Sequence, residues 1–126
     1  GRAPIFLLLR LALAAKALGL PEATAHTKAL ADRFADSARR GDRLHLAEEA
    51  RFELELRGDS AKALELALLN WKQMQREPRD ALIILEAALA AKNAAAAAPA
   101  LDWMKQTRYE EKRYQRLAQA LEGLGR

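Results

Sequence analysis

Apolar residues recur along this chain at three-and-four spacing, broken at regular places by glycine, proline and polar pairs. The breaks fall at Gly19-Leu20-Pro21, Gly41-Asp42, Gly58-Asp59, Glu77-Pro78, Lys92-Asn93 and around Thr107. Segments of helical length lie between them, and the pattern predicts helices near 4–18, 21–40, 43–57, 60–76, 79–92, 96–107 and 108–122. Pro21 and Pro78 sit at segment starts, where a missing N–H costs nothing and the fixed φ suits the first turn. Gly19, Gly41 and Gly58 follow segment ends, where a left-handed residue closes a helix. Asp59 or Ser60 is placed to cap the next start. Loops this short fold consecutive helices back on each other.

The segment 43–57 carries two apolar stripes. Ala47, Ala50 and Leu54 form one, and Phe52 and Leu56 form another on the opposite side. A helix apolar on two faces needs neighbours on two sides. The next segment places Leu64, Ala67, Leu68, Trp71 and Met74 or Gln75 on one broad face. Trp71 and Trp103 are expected in the packing between helices. Ala94 to Ala98 are all alanine and Pro99 follows, so the sixth helix either starts near Ala96 or bends there.

Composition strengthens the all-α reading. The chain has 126 residues, 51% of them hydrophobic but only 6% aromatic, and valine is absent. Isoleucine occurs only at Ile5, Ile83 and Ile84, too few β-branched residues for a sheet protein. Alanine and leucine, which supply much of the apolar fraction, are strong helix formers. The run from Ile5 to Ala15 contains Arg10, so no stretch reaches the roughly 20 apolar residues a membrane span needs. A signal peptide would keep its charge ahead of the apolar run rather than inside it.

The breaks also repeat. Gly19 and Gly58 lie 39 residues apart, and the Lys92-Asn93 turn follows about 34 residues later. A recurring helix hairpin near that period marks an α-solenoid, because one hairpin has more apolar surface than it can cover alone. At Ala47, Ala50, Leu54, Gly58-Asp59, Ala63 and Pro78 the chain resembles the tetratricopeptide repeat family. A first unit over about 4–40 matches through Leu8, Leu11-Ala12, Ala15 and Gly19. A second runs over about 43–77. A third, about 78–107, matches through Ala81, Ile84-Leu85, Ala88, Ala97, Leu101 and Met104. Arg51, Ala67 and Asn70 depart from the family pattern. The expected architecture is one domain, 1–126: a right-handed α-solenoid of antiparallel helix pairs, closed by a C-terminal capping helix at 108–122. The chain opens Gly1-Arg2 without methionine, so a piece of a longer repeat protein is expected.

The resemblance implies a concave groove lined by the first helix of each pair. In the second unit that face holds His45, Glu48, Phe52 and Glu55, and in the third Asp80 and Ile83, with Glu86 or Ala87 beside them. An aromatic between carboxylates would receive a basic or amphipathic segment. The implied role is non-catalytic binding of a protein or peptide, self-association included.

Candidate chemistry changes little. There is no cysteine, which removes disulfides and thiolate metal sites. His45 and Glu49 share a helix face, yet metal binding needs further ligands and His26 lies elsewhere. No glycine-rich phosphate loop exists, the hydroxyls are few, and Glu48/Glu49 and Glu110/Glu111 point apart as sequence neighbours. No enzyme and no cofactor is expected. The net charge is +4, with 17 acidic residues spread among 21 basic ones, which argues against a nucleic-acid footprint. The rival is Lys105, Arg108, Lys112 and Arg116, whose spacing sets them along one helical face able to meet phosphates or anionic lipid. A third reading is a closed bundle that only oligomerises. Cytoplasm and periplasm fit equally, and the Ala/Leu/Arg-rich composition points to a GC-rich bacterial source.

Overall fold

The computed structural model describes residues 3–73 and 76–125 and is all-helical, with no strand among them. The seven α-helices are α1 (Ile5–Ala17), α2 (Glu22–Arg39), α3 (Leu46–Phe52), α4 (Ser60–Gln73), α5 (Pro78–Ala90), α6 (Ala98–Thr107) and α7 (Lys112–Leu124). Met74 and Gln75, expected at the end of the α4 core face, lie outside the described residues.

The helix ends obey the local chemistry. Gly19, Gly41 and Gly58 all have φ near +70°, a conformation that closes a helix and that side chains with a Cβ rarely adopt. Asp59 caps α4 by accepting from the Lys62 N–H at 3.0 Å. Asp80 reaches back to accept from the Glu77 N–H at 3.1 Å, and Pro78 occupies the first turn of α5. Ala94–Ala97 form a 3-10 turn capped by Asn93, and α6 begins at Ala98 with Pro99 in its first turn. Between Phe52 and Gly58 the backbone widens into a π-helix, Glu53–Arg57, which ends α3.

Two starts differ from expectation. Helix α3 begins at Leu46 rather than 43, because Asp42 turns the chain by accepting from the Leu44 N–H. Helix α7 begins at Lys112 rather than 108. Arg108 adopts φ +54°, and Glu111 caps the new start through the Arg113 and Tyr114 N–H groups.

Helix α2 folds along α1, α4 along α3 and α6 along α5, while α4 also lies along α5. The odd-numbered helices touch in succession, α1 to α3, α3 to α5 and α5 to α7. Helix α3 has neighbours on both sides, as its two stripes require. Ala50 and Leu54 join a large core that runs from Leu46 to Leu121, whereas Phe52 and Leu56 join a smaller one with Ile5, Leu9, Ala12, Leu30 and Phe34. Trp71 is buried, and a file of rings runs from it through Trp103 and Tyr109 to Tyr114, with centroids 6.3, 5.1 and 4.8 Å apart.

Candidate interaction site

The six residues expected to face a groove divide by burial. Phe52 is 1% exposed, its ring 5.2 Å from that of Phe34, with the Arg57 guanidinium over it at 5.8 Å. Asp80 is also buried, and its Oδ1 accepts from Asn70 Nδ2 at 2.9 Å. These two side chains are a core anchor and a cap that staples α4 to α5, and neither offers a surface to a ligand. The apolar stripe containing Phe52 points toward α2 because α3 packs between two cores. His45 precedes α3 and is half-buried in a small polar recess with Ile5, Arg33, Asp36, Ser37, Arg40 and Asp42.

Glu48 and Ile83 do come together. They line a groove of about 150 Å³ with Leu9, Ala47, Arg51 and Arg79, where α1, α3 and α5 meet. Ile83 is almost fully buried in its wall, and Glu48 is half-buried. Beside the groove an ionic belt crosses the odd helices. The Lys16 ammonium on α1 donates to the Glu55 carbonyl. Arg51 Nε lies 3.3 Å from Glu55 Oε2, and Arg51 Nη2 lies 2.9 Å from Glu86 Oε1 on α5. Arg113 Nη2 on α7 then approaches Glu86 Oε2 at 3.2 Å. Glu86 Oε1 is buried and outside hydrogen-bond alignment despite its closeness to Arg51, so that contact is charge pairing only. Both guanidiniums stabilise the carboxylate, which is 17% exposed as a side chain.

Arg51 was legible only as a misfit with the repeat pattern, and Leu9 and Arg79 carried no signal. On the far side of α3, burial raises the Glu49 pKa, Lys62 and Arg43 oppose the rise, and Glu53 adds to it. Glu53 itself is buried within the π-helix, 3.6 Å from Lys62. Among the described residues no group of three His, Asp or Glu side chains is placed to hold a metal ion.

The expected basic stripe is not on one helix. Lys105 lies in α6, Arg108 in the left-handed turn, and Lys112 and Arg116 in α7. The turn at 108–111 interrupts the helical spacing that would have aligned them.

Two apolar surfaces stand open. On α1, Phe6, Leu7 and Leu11 are exposed, as is Leu18 just past its end at 73%. Between α6 and α7 lies a cleft of about 540 Å³ lined by Leu101, Met104, Ala118 and Leu121, with Lys105 and Glu122 at its rim.

No helix among the described residues is long and apolar enough to cross a membrane. No family profile, no curated protein and no solved structure matches this chain.

Proposed function

We propose that this chain is a right-handed superhelical stack of the tetratricopeptide kind, and that it binds a protein or peptide reversibly and without catalysis on the face of its odd helices. The observation that carries this reading is the ionic belt from Lys16 through Glu55, Arg51 and Glu86 to Arg113. It joins α1, α3, α5 and α7 side by side along one face, the arrangement that stacked hairpins produce.

The ligand that fits the groove beside the belt is a short amphipathic segment. Its apolar side would cover Leu9, Ala47 and the edge of Ile83, and charges of both signs would meet Glu48 and Arg79. Arg51 is held by two carboxylates, so the floor is fixed before a ligand arrives and little ordering cost falls on binding.

The test has two arms. Small-angle scattering of a monomeric sample is expected to give a curved rod, and a compact sphere would overturn the stack. In affinity capture, the double variant Glu48→Lys/Arg79→Glu is expected to lose a partner that Glu65→Lys, on the exposed side of α4, retains. Equal capture by both variants would remove the groove from the reading.

A further inference from the structure

We propose that the recess between the end of α2 and the start of α3 binds a phosphate-sized oxyanion, as the free ion or as the phosphoryl group of a small molecule. The inference stands on this corner of the fold and does not need the superhelical reading.

Arg33, Asp36, Ser37 and Arg40 follow one another at helical spacing, so they share one face of α2 and its end. Leu30 and Phe34, on the adjoining face, fill the smaller core. Gly41, at φ +72°, reverses the chain, and Asp42 and His45 come round against that polar face. The recess so formed measures about 140 Å³, more space than one water needs, and Ile5 is the one apolar residue in its wall.

Donors outnumber acceptors there. Arg33 spends one N–H on the Ala3 carbonyl, and the Arg40 guanidinium has no partner among the described residues. Ser37 is only 8% exposed, yet its hydroxyl also has no partner among them. That hydroxyl is not sealed away. Among the described residues the one unpartnered side-chain polar atom fully shut from solvent is Glu86 Oε1, so the Ser37 oxygen keeps an opening onto the recess it lines. The two carboxylates are already engaged, Asp36 with Arg39 and Asp42 Oδ1 with the Leu44 N–H.

What the recess lacks is an acceptor with several oxygens. A phosphate takes paired N–H donors from a guanidinium fork and accepts from a hydroxyl at the same time. Charge agrees with this choice. Arg33, Arg40 and the Arg39 bound to Asp36 stand against two carboxylates, which leaves one positive charge with His45 neutral. A metal ion is the poorer fit, because Asp36, Asp42 and His45 all line the recess but are not placed to hold one together.

Titrating inorganic phosphate into isotope-labelled protein, in a chloride buffer free of other oxyanions, tests this through the backbone amide resonances. The amides of Ser37, Asp42, Leu44 and His45 are expected to shift together and to saturate as one site. Ser37→Ala and Arg40→Gln should each raise the Kd roughly tenfold, the scale of one hydrogen bond to a charged group. Lys72→Gln, on the exposed side of α4, removes the same charge elsewhere and should leave the Kd unchanged. Arg40 is exposed, so its variant reports even if Ser37→Ala disturbs α2 by circular dichroism. A parallel titration with phenyl phosphate separates the sources. Tighter binding of the ester assigns the site to a phosphoryl group on a small molecule, and tighter binding of the free ion assigns it to inorganic phosphate. Shifts that never saturate would overturn the inference, as would equal weakening in Arg40→Gln and Lys72→Gln. The arginines would then serve only the negative, carbonyl end of α2.

Discussion

The junction between α2 and α3 and the junction between α4 and α5 join hairpins of similar design by different means. At α2–α3 a ring pair, Phe34 on Phe52, makes the contact while α1 touches α3 and the π-helix, within a core whose buried members are Ile5, Leu9, Ala12, Leu30, Phe34 and Phe52. At α4–α5 the helices lie along each other in the larger core, and a buried amide–carboxylate hydrogen bond, Asn70 to Asp80, pins them. The first junction is small and mainly apolar, with the exposed Lys16 ammonium reaching the Glu55 carbonyl across it, while the second adds a buried side-chain lock to a larger apolar core. In the proposed stack, cooperativity is limited by the weakest junction, so α1–α2 should open separately from the rest.

The largest expected effect follows from removing that ring. Phe52→Ala should cost about 3–5 kcal/mol, the range for emptying a buried phenylalanine site. The loss should be uneven. Hydrogen exchange is expected to show protection collapsing over residues 5–39 while 60–107 remains protected. Uniform loss along the chain would mean that the two junctions are equally strong and would end the contrast drawn between them.

Breaking the second junction should cost less. Asp80→Ala removes the α5 cap and leaves Asn70 buried without its acceptor, together about 2–3 kcal/mol. Urea denaturation of Asp80→Ala and of the double variant Asn70→Leu/Asp80→Ala separates the two contributions. The double variant should recover part of the loss, because the buried Asn70 amide is then gone and only the cap on the Glu77 N–H stays lost. If Asp80→Ala costs no more than Asp102→Ala on the exposed side of α6, the lock is only decoration on an apolar contact.

Much of this architecture was legible in the chain itself. Gly19, Gly41 and Gly58 marked three helix ends correctly because their left-handed backbone is a local property that glycine announces. The two stripes on 43–57 correctly required neighbours on both sides of α3. They did not reveal which stripe faced an opening, and Phe52 was misassigned to the groove for that reason. Period alone is symmetric between a face that meets another helix and one that meets a ligand. Arg51 and Asn70 looked like faults in a repeat because their partners, Glu86 and Asp80, lie on other helices. The basic stripe failed at Arg108, since nothing in an arginine announces a positive φ. Local chemistry fixed the ends and faces of the helices, and partners distant in sequence decided what each face does.

The smallest effect probes the far end of the larger core. The Tyr114 hydroxyl donates to the Pro78 carbonyl at 2.9 Å, tying α7 to the start of α5. Its pKa is pushed up to about 12, chiefly by burial and then by Tyr109 beside it. Tyr114→Phe should cost about 1 kcal/mol near neutral pH, the net worth of one hydrogen bond. The sign of the pH dependence follows from which state ionises first. The unfolded phenol loses its proton near pH 10, while the folded one keeps it until about 12, so the folded state holds more protons in that window. The parent's advantage is therefore complete below pH 10 and declines between 10 and 12, and the phenylalanine variant lacks that decline. Urea titrations at stepped pH should show the two stabilities converging across this interval. A gap that stays constant would mean that the hydroxyl is solvated and that α7 is held by its apolar residues and the Arg113–Glu86 pair without it.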